Sequence, residues 1–269
     1  MANKSALALI CIYGEDSSDD DVSGPRVSTK RVHKDEDEEN AVKRRERLPL
    51  PSEFQKVENV SEYTDDPSNH EGRLRSFPHE RGNWATYIYI PYDKDHFGIQ
   101  DLFSKIQLII PSTIEIKPVD DLHISLTKTV ILKHHWIQSF SDSIKENTIF
   151  IKKFMIMFDG IKVYCNEERT RTFLGITVKS GHDSLIKLVE IFDRCLLEYK
   201  LSTFYKDPSF HMSIAWVQGD FKEELGKYVT EINNVFIQLL NTYTQDTWYI
   251  YVNYLLCKIG NKSFQFNLC

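Results

Sequence analysis

Between residues 84 and 269 the apolar positions repeat with two periods, two and about 3.6, and the switches between them mark strands and helices. Thr86 to Ile90 alternates and stops at Pro91, which predicts a strand. Asp95 to Ile110 carries Phe97, Leu102, Phe103, Ile106 and Ile109 on one side and stops at Pro111, which predicts a helix. Leu122 to Ile131 alternates strictly, with Leu122, Ile124 and Leu126 on one face and His123, Ser125 and Thr127 on the other, as a strand with one covered face does. His134 to Glu146 reads as a helix, and Phe154 to Phe158 and Lys162 to Cys165 as strands. The order then begins again. Thr172 to Val178 is a strand, and His182 to Lys200 a helix with Leu185, Leu188, Phe192 and Leu196 as its stripe. Phe210 to Val217 is a strand whose Met212, Ile214 and Trp216 face away from His211, Ser213 and Ala215. Asp220 and Glu223 stand at capping-box spacing ahead of a helix to about Leu240, and Trp248 to Ile259 and Phe264 to Phe266 close as strands. Each half is strand, helix, strand bearing His-x-Ser, helix, strand. This predicts an α/β chain of the α+β type with two pseudo-symmetric lobes, about 84–160 and 161–269.

The periodicity fails before residue 73. Of 33 Lys and Arg and 39 Asp and Glu, the first 70 residues hold 10 and 16, leaving 23 of each sign for a neutral remainder. Only Tyr13, Phe54 and Tyr63 are aromatic there, among charge blocks such as Asp35 to Glu39. Such a segment cannot bury enough surface to offset its ordering entropy, so residues 1–72 are expected to be a disordered tail and 73–269 the folded domain. Lys43, Arg44, Arg45 and Arg47 fit either a nuclear-import patch or a solvated charge run. No run approaches 18 apolar residues, which excludes a membrane-spanning helix, and Ala6 to Tyr13 lacks the flanks of a signal peptide. Five cysteines without a C-x-x-C pair argue against a zinc ribbon or a disulfide scaffold and suit a reducing compartment.

The candidate chemistry lies in the two His-x-Ser strands. Residues i and i+2 of a strand share a face, so His123 with Ser125, and His211 with Ser213, each present an imidazole beside a hydroxyl. As strings they are unremarkable; their matching mid-strand positions, with apolar residues behind, are not. With both strands facing one cleft, a neutral imidazole can take the proton of a ribose 2′-OH while a protonated one donates to the leaving 5′-oxygen. The hydroxyls then donate to the non-bridging oxygens, and no metal or cofactor is required. The alternative is that each histidine is simply a hydrogen-bonded residue on a half-buried strand.

The motifs H-I-S-L-T (123–127) and H-M-S-I-A (211–215) resemble the paired H-x-[ST]-apolar motifs of the two-histidine (2H) phosphodiesterase superfamily. Six longer stretches resemble one branch of it: 77–86 around F-P-H-E-R-G-N-W, 133–136, 170–173, 180–182, 203–211 and 257–264. That branch trims the uridine-rich 3′ end of a nuclear RNA. The resemblance covers about residues 73 to 269 and implies lobes of antiparallel sheet with helices, the His-x-Ser strands facing a central cleft. It further implies His123 as proton acceptor, His211 as proton donor, and Ser125 and Ser213 on the scissile phosphate. Tyr205 would stack on the terminal base, and Asp207, Pro208, Ser209 and Phe210 would wall the nucleotide pocket. The substrate implied is uridine-rich single-stranded RNA, the compartment the nucleus. Glu167 departs from the pattern where a neutral Gln is expected, and its carboxylate would repel phosphate; Lys206 also replaces a Gln. The same four residues would serve hydrolysis of a 2′,3′-cyclic phosphate to a 3′-phosphate, and a non-catalytic RNA-binding module is the reading from another class.

Other residues have plainer roles. His134 and His135 precede Trp136 at a helix start, where capping or packing is expected rather than metal binding. Arg169 and Arg171 flank a turn, Arg171 fitting either a phosphate or a carboxylate. His79 is expected to guide the chain into the first strand, and His182 to cap its helix.

Overall fold

The computed structural model describes Phe77 and residues 80–92, 97–243 and 245–269. The expected tail, the 43–47 patch and His79 lie outside the described residues. Ten strands form one continuous antiparallel sheet: β1 (Asn83–Pro91), β2 (Lys117–Pro118), β3 (His123–Ser125), β4 (Val130–Lys133), β5 (Phe154–Cys165), β6 (Arg171–Ser180), β7 (His211–Gln218), β8 (Tyr249–Val252), β9 (Tyr254–Ile259) and β10 (Lys262–Asn267). Their order is β10-β9-β1-β3-β7-β6-β5-β8, with β2 also on β7 and β4 also on β1. The two His-x-Ser strands, β3 and β7, are neighbours, and their pairing joins the halves. The hairpin β9–β10 returns to β1, so the last strands of the chain extend the sheet beside its first strand.

Among the described residues five helices accompany the sheet: α1 (Phe97–Ile109), α2 (Ile137–Thr148), α3 (His182–Glu198), α4 (Lys222–Gly226) and α5 (Val229–Thr242). Helix α1 packs against α5 and α2 against α3, so each pair joins a helix of the first half of the repeat to one of the second. Ile88, Ile90, Ile124, Met212 and Ile176 are at most 1% exposed and belong to the same core as Leu102, Phe140, Phe192 and Phe236 of the helices. Each such side chain contributes roughly 1.5–3 kcal/mol by leaving water. Because β3 and β7 commit Ile124 and Met212 to this core, strand alternation turns His123, Ser125, His211 and Ser213 to the open face, where all four are half-buried.

Several elements differ from the pattern-based expectation, each for a local reason. The strand expected over 122–131 is broken into β3 and β4. There the amide of Ile88 donates to the hydroxyl of Thr127 at 2.9 Å instead of to a backbone carbonyl, so the ladder skips. His134 to Trp136 form a 3₁₀ turn before α2, and the two strands expected over 154–165 are one, β5. Phe97 is 68% exposed; Ile99, Leu102 and Ile106 are the buried side of α1. The helix expected from Asp220 is split at Gly226, and Phe221 occupies its N-cap without a side-chain cap bond. The last long strand divides at Asn253, sending β8 to β5 at one end of the sheet and β9 to β1 near the other. No helix among the described residues is long and apolar enough to cross a membrane.

Candidate active site

Antiparallel pairing with Ile124 opposite Met212 sets His123 across from Ser213 and Ser125 across from His211, so two imidazoles and two hydroxyls share one patch of the sheet. They stand on adjoining strands of the one antiparallel sheet. The histidines are held alike. Nδ1 of His123 lies 2.7 Å from the carbonyl oxygen of Asp121, and Nδ1 of His211 lies 2.7 Å from that of Ser209. A carbonyl only accepts, so both Nδ1 atoms carry hydrogen and both Nε2 atoms are left for substrate. In each case the anchor is the residue two positions earlier, which fixes tautomer and ring direction together.

The surroundings of the two rings differ. His123 lies against Tyr89, centroids 5.1 Å apart at 62°, and near Tyr87, 6.0 Å away. Tyr87 and Tyr89 stack on each other at 5.1 Å, and burial pushes the Tyr87 phenol up to about 12, so this wall is uncharged at neutral pH. His211 instead stacks face to face on Tyr164, with centroids 3.6 Å apart and planes within 12°. The Tyr164 hydroxyl is 3.2 Å from that of Ser209. Strand β6 runs between the two rings' strands, and its residue there is Gly175: a Cβ would sit 2.7 Å from His211 Cδ2 and 3.0 Å from Tyr164 Cε2. Glycine inside a strand here marks a close approach across it.

Burial lowers the pKa of both histidines. For His123 the carbonyl bond and charge of Asp121 oppose that and Lys258 adds to it. For His211 the Ser209 carbonyl opposes it and the His123 charge adds to it. That last effect disfavours two protonated imidazoles side by side.

Comparison with known proteins supplies the family. A family model described as "HVSL: Uncharacterised conserved protein" matches residues 48–267. The zebrafish (Danio rerio) U6 snRNA phosphodiesterase 1 is 42% identical over 227 residues, covering 82% of this chain and 81% of that one. The human (Homo sapiens) protein of the same name is 37% identical over 238 residues, covering 83% and 85%. The chain belongs to the U6 snRNA phosphodiesterase family. A structure of Kluyveromyces marxianus Usb1 with uridine monophosphate has the same fold, with a TM-score of 0.52 at 14% identity over 69% of this chain and 98% of that one.

Outside the His-x-Ser strands, the residues that the U6 snRNA phosphodiesterase resemblance singled out fall into two groups. Tyr205 is 46% exposed, in a loop anchored to α3 by the bond from Phe204 N to Asp193 at 2.8 Å. Asp207 and Ser209 are exposed and Pro208 half-buried. Phe210, by contrast, is 4% exposed and packs on His182 and Phe204, so its side chain belongs to the core and supports the loop from behind. Glu167 is held by Lys128, whose Nζ lies 2.7 Å from its carboxylate and 4.2 Å from the Tyr205 ring centroid. The departure at 167 is therefore accompanied by a neutralising cation, and Lys128, Glu167 and Tyr205 form one cluster. Arg169 pairs with Asp220 at 3.2 Å, and the Arg171 guanidinium lies over Phe173. His134 lies against Trp84 and His135 against Trp136. Gly181, not His182, is the N-cap of α3. Lys128, Tyr164 and Gly175 escaped the sequence reading; for Gly175 alone a signal existed, a glycine inside an apolar strand.

Proposed function

We propose that the protein is a 3′-to-5′ RNA phosphodiesterase that shortens the uridine-rich 3′ end of U6 snRNA in the nucleus by 2′-OH transesterification, leaving a 2′,3′-cyclic phosphate. The observation that carries the reading is the matched pair of Nδ1 bonds, to Asp121 and Ser209, which leaves two Nε2 atoms for proton transfer on adjoining strands. His123 takes the proton of the 2′-OH of the penultimate nucleotide, O2′ forms a bond to phosphorus, and the bond to O5′ of the terminal nucleotide breaks as protonated His211 donates to it. Ser125 and Ser213 donate to the non-bridging oxygens, where charge grows. Tyr205 offers a ring face to the terminal base, and Lys128 a cation beside it. The RNA substrate is supported by the relatives' name, the uridine by the relative solved with uridine monophosphate, and the nucleus by the Lys43 to Arg47 run.

The test is incubation with an oligo(U)-tailed RNA in EDTA, reading chain length and terminal phosphate. Stepwise shortening to cyclic-phosphate ends is expected, and a 2′-deoxy penultimate nucleotide should block it. Normal cleavage of the deoxy substrate would replace transesterification by attack of water. Binding without shortening would leave an RNA-binding module.

A further inference from the structure

The two imidazoles have the same anchor and the same kind of strand, so nothing in their hydrogen bonds makes one the acid and the other the base. Their aromatic neighbours do differ. Tyr89 meets His123 steeply tilted, at 62°, whereas Tyr164 lies flat on His211. A flat phenol presents the negative face of its π-system to the imidazole, which attracts the imidazolium more than the neutral ring. Tyr164 reaches this place because β6 has no side chain at 175, so rings from β5 and β7 meet over the gap.

We propose that Tyr164, seated over Gly175, is a positioning residue that holds His211 by one ring face and favours the protonated form that donates to the leaving oxygen. The inference rests on the acid role given to His211 above. Burial and the His123 charge both oppose protonation of His211, and the Tyr164 face offsets them. The other titratable or charged groups near it are Asp159 on β5, which accepts the hydroxyl of Thr177 across the ladder from His211, and Lys162 on β5, across from Gly175. Substitutions at 164 leave all of these in place.

The experiment is an NMR titration of the histidine rings in the full chain, unmodified and as Tyr164→Phe and Tyr164→Leu, with His211 assigned from His211→Ala. Tyr164→Leu is expected to lower the proton affinity of His211 about 3- to 10-fold while His123 stays put, and Tyr164→Phe to retain it. The alkaline limb of RNA cleavage should move to lower pH in Tyr164→Leu by the same amount. An unchanged His211 titration in Tyr164→Leu overturns the inference, and so does a Phe variant as low as the Leu variant, which would make the bond to Ser209 the cause. The titration needs no RNA, so its failure is distinct from a failure of the unmodified chain to shorten oligo(U).

Discussion

Replacing Gly175 by alanine adds one methyl group at the most crowded point of the site. Its carbon would lie 2.7 Å from His211 Cδ2 and 3.0 and 3.1 Å from two carbons of the Tyr164 ring. Ordinary carbon contacts are about 3.5–4.0 Å, so the rings must retreat by roughly 0.5–1 Å. His211 cannot do so freely, because its Nδ1 is tied to the Ser209 carbonyl at 2.7 Å; either that bond lengthens or the stack opens. Overpacking of this kind costs about 1–3 kcal/mol of stability, and a misplacement near 1 Å lowers turnover by up to about 10²-fold. The assay is the initial rate of oligo(U) shortening in EDTA, with urea unfolding in parallel. Gly175→Ala should unfold at lower urea and lose about 10- to 100-fold in kcat, with a smaller change in KM, since Tyr205 and Lys128 lie outside the clash. Gly226→Ala is the control, because a Cβ there meets nothing within 4 Å. A Gly175→Ala enzyme within about threefold of the unmodified kcat would refute the argument that His211 is held across the glycine.

His123→Ala and His211→Ala should each lower the rate about 10²–10⁴-fold, and the double variant should be little worse than either, because both serve one transition state; additive losses would mean independent roles. The pH dependence of kcat/KM should be a bell centred below the ordinary histidine value of 6.5. A lowered pKa keeps the base His123 working to lower pH and deprotonates the acid His211 at lower pH, so both limbs move in the acid direction; a bell centred above 6.5 contradicts it. Lys128→Met should raise KM for the RNA several-fold, because it leaves the Glu167 carboxylate unpaired beside Tyr205. Adding Glu167→Gln should recover most of that loss, within the roughly 0.2–1 kcal/mol of an exposed pair, and no recovery would place the Lys128 effect on phosphate instead.

The chemistry was legible where it coincided with strand alternation. His123 and Ser125, like His211 and Ser213, are recognisable because Ile124 and Met212 between them must be buried, and a two-residue period leaves no other face. Breaks in the ladder were not legible. Thr127 alternates like any strand residue, and only the Ile88 amide opposite reveals that its hydroxyl replaces a carbonyl. Asn253 divides β8 from β9 without glycine or proline to mark it, since the division is set by which strand each half pairs with. The partners of the four residues were harder still. Tyr164 and His211 are 47 positions apart on strands that do not pair with each other, and Lys128 meets Glu167 39 positions away. Contacts of that kind depend on the order of strands in the sheet, which periodicity does not contain.

The return of the hairpin β9–β10 to β1 bears on how the protein is made. Synthesis is vectorial, and residues 83–91 leave the ribosome about 170 residues before the 254–259 segment that pairs with them. Throughout that interval one edge of the first strand has no partner, although the same strand supplies Tyr89, the neighbour of His123. A nascent chain with such an open edge is prone to pair with other chains. Loss of residues 262–269 would strip β10, uncover the outer edge of β9, and remove the Cys269 backbone that bonds Ile151 and Lys153.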